Sequence, residues 1–265
     1  MRRNMGSRIT LGRFLIRLGR FIQSLALMVM RPDDLIEFSR QTYDKKDNVE
    51  GWSSDEIIES GLDDQESALL EKIPLKDGKI LLLGVGGGRE AIYLAKKGFE
   101  VTGVDFSEGM VKGAQNNAQK RGVPISGLVQ EISQLDVPQN SYDIVWLSSA
   151  MYSSVPTRRR RLMMLKRISN ALRPGGYFIC QFHWNTKLNA SLEGEFMRKV
   201  VAFLTLGNVQ YEKGDMLWYN IEFIHAFSSD EDLRSEFEEG FFKVEYMQIP
   251  EENMKGGAVL IKGKK

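Results

Sequence analysis

Residues 79–90 read KILLLGVGGGRE, an apolar run that breaks into glycines and then into a charged pair. Ile80 to Leu83 show no alternation of apolar and polar side chains, which is the pattern of a strand covered on both faces in a parallel sheet. Ala91 to Lys97 continue as a helix that carries Ile92, Tyr93 and Leu94. Between strand and helix, glycine lets the backbone turn sharply and approach a ligand with no Cβ in the way, while the helix start presents free N–H groups. Next, residues 100–105, EVTGVD, form a second strand ending in Asp105. That carboxylate lies about twenty residues beyond the first glycine, where an acid can accept from both hydroxyls of a ribose. The two units predict a doubly wound α/β core that cradles a nucleotide-like ligand.

Dinucleotide-binding dehydrogenases use G-x-G-x-x-G at the same place in the fold. The glycines here are Gly84, Gly86, Gly87 and Gly88, and Arg89 stands where that pattern wants its last glycine. The spacing therefore argues against a dehydrogenase.

GVGGGREAIYLAKKG, VTGVDFSEGMV and ALRPGGYF, in that order, resemble the first cofactor motif, the second-strand acid with its S-x-x-M, and the turn before the fifth strand of the class I S-adenosylmethionine-dependent methyltransferases. The likeness runs from about Glu66 to the C-terminus. It implies a doubly wound, seven-stranded, mostly parallel sheet whose last strand is antiparallel, with S-adenosylmethionine as cofactor. The implied cofactor residues are Gly84, Val85, Gly86, Gly88, Arg89 and Glu90 in the first motif, and Asp105, Phe106, Ser107 and Met110 in the second. Glu131 and Ile132 follow the third strand where the family contacts adenine, and Leu147 closes the fourth. One position departs from the family: Leu82 stands where an acid usually helps to hold the methionine ammonium, so Glu90, a backbone carbonyl or a cap residue takes that part. After the fourth strand the chain reads SSAMYSS and lacks the Asn-Pro-Pro-Tyr with which adenine and glutamine-amide methyltransferases bind their target nitrogen, so a small-molecule or lipid-like acceptor is expected. A rival reading is a protein that binds the cofactor without turnover and serves in interaction or membrane docking.

Ligands of open α/β sheets bind outside the carboxyl ends of the strands, which places catalytic candidates at three sites. Tyr152 follows the fourth strand and His183 ends the fifth, Gly176–Phe182. His225 lies in HAFSSDEDL, a pattern similar to one near a helix start in small-substrate members of the family; a packing role competes with a catalytic one there. Residues 207–227 read as an inserted hairpin of two strands split near Gly214-Asp215, bearing Trp218, Tyr219 and Phe223. The four arginines 158–161 start a helix with Leu162, Leu165, Ile168 and Leu172 on its buried side, and a solvated face is expected of them. No aromatic residues interleave with them, as stacking on single-stranded nucleic acid would need.

The expected domains are a basic amphipathic helix at 1–32, a helical cap at 33–75 and a core at 76–265 with an inserted substrate cover at about 185–226. In the first, Leu11, Phe14, Leu15, Leu18, Ile22, Leu25 and Val29 recur at helical spacing with Arg13, Arg17 and Arg20 opposite, and no acid precedes Asp33. Two readings stand beside a signal peptide: packing on the protein's own core or on a partner, or contact with an anionic membrane surface through residues 8–30. The apolar run is shorter than the roughly 20 residues that span a bilayer. Apolar residues at 42% exclude a disordered chain, and 36 Lys and Arg against 35 Asp and Glu leave no overall field to draw nucleic acid. Cys180 is the one cysteine and forms no internal disulfide, which fits a reducing cytoplasm, peripheral to a membrane if the first helix docks there. Two separated histidines, His183 and His225, are too few for a zinc site, so no metal is expected.

Overall fold

The computed structural model describes residues 3–186, 192–219, 221–251 and 254–263. Arg2 and residues 187–191 and 220 of the expected insertion lie outside the described residues, as do the side chains of Arg3 and Arg20. Five helices come first: α1 (Arg3–Val29), α2 (Pro32–Tyr43), α3 (Lys46–Trp52), α4 (Asp55–Glu59) and α5 (Asp64–Glu71). α1 ends before Pro32, which opens α2 at its first turn, where its missing N–H is no loss. Asp63 and Glu66 start α5 by a reciprocal capping box, the Asp63 carboxylate accepting from Glu66 N–H and the Glu66 carboxylate from Asp63 N–H.

Strands and helices then alternate: β1 (Gly78–Leu83), α6 (Arg89–Lys96), β2 (Phe99–Asp105), α7 (Glu108–Lys120), β3 (Ile125–Val129), β4 (Tyr142–Leu147), α8 (Arg158–Ala171) and β5 (Leu172–His183). After α9 (Leu192–Leu204), β6 (Asp215–Trp218) and β7 (Glu222–His225) come α10 (Asp230–Glu239), β8 (Phe242–Gln248) and β9 (Lys255–Lys262). The main sheet has seven strands in the order β3-β2-β1-β4-β5-β9-β8. β1 to β5 pair in parallel, and β9 runs antiparallel between β5 and β8. The order turns back at β1 and β4, so a crevice opens at their carboxyl ends.

β1 shows why the sheet is buried on both sides. Ile80 and Leu82 enter one core with Leu69 of α5, Leu94 of α6 and Val111 of α7. Leu81 and Leu83 point the other way, into a core with Ile168 of α8 and Phe237 of α10. All four are fully buried. Leu82 therefore belongs to the packing of the sheet, not to the crevice.

Two expectations are corrected. The inserted hairpin is real, but β6 begins at Asp215 and the chain turns after Trp218, not near Gly214-Asp215. Gly214, at φ 111°, precedes the first strand and lies so close to Ala226 O that a Cβ there would meet it at 2.3 Å. The arginine run is also not a solvated face. Arg159 is exposed, but Arg161 is buried, with Nε 2.9 Å from Glu236 Oε2, and Nη2 2.7 Å from Glu236 Oε1 and 2.8 Å from Glu212 Oε2. Arg158 pairs with Glu239 and Arg160 with Asp33. Cations are unfavourable at a helix start, and here carboxylates from α2, α10 and the loop before β6 compensate.

Candidate active site

A cavity of about 420 Å³ lies over the carboxyl ends of β1, β2 and β4, within the size range of small-molecule sites. Its floor is the glycine turn. Gly86 has φ 50°, and a Cβ built there would meet nothing within 4 Å, because its free side is the cavity. Gly86 N–H donates to Asp105 Oδ2 at 3.0 Å, and Ser107 N–H donates to Asp105 Oδ1 at 3.0 Å. These bonds hold the carboxylate at the end of β2 and fix the turn against it. Burial raises the carboxyl pKa of Asp105 above the ordinary range, opposed by those two N–H donors.

The cap closes over the same turn. Asn117 of α7 donates from Nδ2 to Gly87 O and Ser53 O, both at 3.0 Å, and so ties the loop after α3 to the glycine turn. A Cβ on Gly87 would fall 2.1 Å from Trp52 O. Gly87→Ala is therefore expected to force the cap away and cost about 1–3 kcal/mol, the usual range for overpacking. Faster proteolytic cleavage near residues 52–54 together with a lowered Tm would check it; an unchanged Tm would show that the contact is loose.

Of the sequence-predicted cofactor residues, Gly84, Val85, Gly86, Arg89, Glu90, Asp105, Phe106, Met110, Glu131 and Ile132 line this one cavity. Gly88, Ser107 and Leu147 do not. Gly88 caps α6 at φ 102°, Ser107 caps α7 by accepting from Met110 N–H, and Leu147 is buried in the sheet core. Arg89 reaches the wall with its guanidinium already engaged: Glu66 takes it in bidentate fashion at 2.7 Å, and Gly61 O and Glu90 complete it. It thus clamps α5 to the turn. Glu131 holds the turn after β3 by accepting from Ser133 N–H at 2.8 Å and Ser133 Oγ at 2.6 Å. Glu90 is buried, takes Arg89 and the Ser148 hydroxyl on Oε1, and has its carboxyl pKa raised by that burial.

The three catalytic candidates separate. His183 lines the cavity with its ring 5.2 Å from that of Trp218. Burial, with Lys255 nearby, lowers its pKa to about 4, so the imidazole is neutral at pH 7. Tyr152 is fully buried under the cavity, donates its hydroxyl to Glu236 Oε2 at 2.7 Å and stacks on Phe227. His225 is buried on β7 with Nδ1 2.8 Å from Asp215 Oδ1. Neither reaches the cavity, because both are bound into the Arg161 network. Glu212, Asp215 and His225 bring ligand-type atoms within 4.8 Å of one another. Their oxygens are engaged with Arg161, with Arg158 and Glu212 N–H groups and with the histidine itself, so the donors form an ion-pair network and not a metal pocket.

Sequence reasoning missed several wall residues. Tyr43, whose hydroxyl donates to Glu222 Oε2 at 2.7 Å, comes from the cap, and Ile36 and Trp52 stand with it. Ser148 and Ser149 follow β4, where Ser149 and Ala150 hold φ 43° and 55° in succession, a conformation disfavoured for residues with a Cβ. Two non-glycine residues strained at the end of a strand mark a site, a signal visible only in three dimensions. Met151, Val155, Trp218, Tyr219, Ile221 and Lys255 also line the cavity.

The donor set fits a nucleoside that carries a cation. Carboxylates occur at four points of the wall, Glu90, Asp105, Glu131 and Glu222, while the guanidinium of Arg89 is matched by Glu66.

Residues 80–176 match the family model described as "Methyltransferase domain". The chain is 30% identical over 141 residues to the Bacillus subtilis protein YqeM, whose name calls it a methyltransferase, covering 52% of this chain and 57% of that one. It is 34% identical over 106 residues to a Coxiella burnetii ubiquinone biosynthesis O-methyltransferase, covering 40% and 44% of the two chains. The chain thus spans about half the length of the curated relatives it matches. The crystal structure of an S-adenosylmethionine-dependent methyltransferase from Methanosarcina mazei shares the fold, with TM-score 0.61, 20% identity, and 77% of this chain and all of that one covered.

Proposed function

We propose that this chain, which carries the class I S-adenosylmethionine-dependent methyltransferase domain, transfers a methyl group to a hydroxyl of a small, largely apolar acceptor. The observation that carries the reading is Asp105, held by Gly86 and Ser107 N–H beside an open glycine turn at the switch point of the sheet. Asp105 would accept from the ribose hydroxyls, Glu131 and Ile132 would border the adenine, and Glu90 would face the methionine ammonium in place of the acid absent at Leu82. When bound, S-adenosylmethionine supplies a methyl group on a sulfonium, already activated for in-line transfer.

The protein's work is then alignment and exclusion of water. Trp218, Tyr219, Ile221, Met151 and Val155 offer the acceptor an apolar lining. His183 stands in the same cavity as a neutral base and takes the hydroxyl proton on its imidazole nitrogen. The name of the Coxiella burnetii relative, a ubiquinone biosynthesis O-methyltransferase, supports oxygen as the acceptor atom.

His183→Asn is expected to lower kcat by about 10²-fold while S-adenosylmethionine affinity stays unchanged, in line with the loss of a general base. The pH profile gives the sign. A base whose pKa sits near 4 is deprotonated well below its ordinary 6.5, so the rate should hold from pH 7 through 6 and fall only toward pH 4. A fall centred at 6.5, or an unchanged kcat in the variant, would remove His183 from the reaction. Formation of S-adenosylhomocysteine with a panel of phenols, alcohols, amines and thiols tests the function itself. Cofactor binding without turnover on any of them would favour a non-catalytic binding protein.

A further inference from the structure

The apolar stripe of α1 does not pack on the protein. Leu11, Phe14, Leu15, Leu18, Phe21 and Ile22 are between 40% and 58% exposed. Among the described residues, the last turns of the helix are anchored by Leu27 and Met28 in a small core with Leu35, Ala202 of α9 and Phe223 of β7. Leu27 is buried while Val29, two residues on and so nearly opposite on the helix, is 51% exposed. The protein therefore holds α1 by one side and leaves the stripe that includes Val29 turned away from it.

Charge says what covers this face. The sequence up to Pro32 holds seven arginines and no acid. Arg8, Arg13 and Arg17 are exposed and form no ion pair among the described residues. Exposed apolar side chains continue on the partner of α1, at Phe203 and Leu204 of α9 and Leu206 after it, where Asn208 N–H donates to Met28 O at 2.7 Å. α1 also lies against β6, the strand whose Trp218 lines the cavity. No helix among the described residues is long and apolar enough to cross a membrane. An exposed apolar stripe flanked by unmatched arginines is the build of a helix that lies in the headgroup region of an anionic bilayer.

We propose that α1, with the end of α9, is a docking surface for anionic phospholipid bilayers that sets the hairpin side of the cavity near the lipid. The surface does not depend on the methyl-transfer reading: it would stand if the cavity bound another ligand, and its test does not use activity.

The full chain is mixed with vesicles of phosphatidylcholine alone or with 30% phosphatidylglycerol, on the order of physiological salt and below, and sedimented. The expected result is binding to the anionic vesicles that falls steeply with salt, weak binding to phosphatidylcholine, and at least a tenfold loss in a variant combining L15E, L18E and I22E. These positions are exposed, so the variant should keep the parent's circular dichroism and Tm. R13E combined with R17E separates the charge contribution and is expected to abolish the preference for phosphatidylglycerol. Sedimentation velocity without lipid covers the other occupant. No binding to anionic vesicles at low salt, equal binding by the triple variant, or a dimer that the triple variant dissolves without any vesicle binding would each overturn the proposal.

Discussion

Asp105→Ala is expected to weaken S-adenosylmethionine binding by 100-fold or more. A hydrogen bond to a charged group contributes about 1.5–3 kcal/mol, and two ribose hydroxyls would be lost together, at about 1.4 kcal/mol per factor of ten. The loss compounds, because the same carboxylate holds Gly86 N–H and Ser107 N–H and thus the shape of the turn. Asp105→Asn keeps one carbonyl acceptor in place and should fall between the two. Protonation gives an independent check with a definite sign. Burial raises the carboxyl pKa in the folded protein, so the charged acceptor is lost on acidification sooner than in an ordinary aspartate, and affinity should decline as the pH falls toward the carboxylate range. Calorimetry with both variants at two pH values would read all of this. An Asp105→Ala protein that folds and binds as the parent does would place the nucleoside elsewhere.

Arg161→Ala is expected to cost about 3–5 kcal/mol of stability, the range for breaking a buried ion pair from one side. Glu236 is buried and keeps Tyr152 as a partner, with Arg158 Nε at 3.8 Å, but with Arg161 removed it and Glu212 would lose the guanidinium that bridges them. At roughly 2–4 °C per kcal/mol for a chain of this size, the Tm should fall by several degrees or more. Replacing both partners is the informative control: Arg161→Met with Glu236→Leu should recover much of the loss, since apolar groups of similar volume often match a buried pair. A double variant no more stable than Arg161→Ala would mean that Glu212 or Tyr152 depends on the pair for more than charge balance. Because this network lies below the cavity and holds Tyr152, a folded single variant should also bind the cofactor less tightly.

What could be read in advance follows physical range. The strand, glycine turn and helix at 78–96, and the acid ending the next strand, are local patterns, each set by neighbours within a few positions, and ten cofactor candidates drawn from such motifs meet on one cavity. Leu147 was read as facing the site because it ends β4, yet the last residue of a doubly covered strand is core, and the wall begins at Ser148. A cap at 33–75 is legible in the sequence, but its contacts are not: Tyr43 and Trp52 of the cap, and Asn117 of α7, act through distant turns, and nothing next to them in sequence announces a partner. The arginine run misled for the same reason, since the acids that bury Arg161 come 51 and 75 residues later. A run of like charge reads as solvated until its partners are placed. Tyr152 and His225 sit at the right distance in sequence from strand ends but are turned inward, onto Glu236 and Asp215.

The claim that the cavity over Gly86 and Asp105 is an S-adenosylmethionine site is tested most directly by calorimetric titration of the unaltered protein with S-adenosylmethionine, S-adenosylhomocysteine and NAD. Saturable one-to-one binding of both sulfur nucleotides and none of NAD is the predicted result; binding of NAD in preference, or of none of the three, would contradict it.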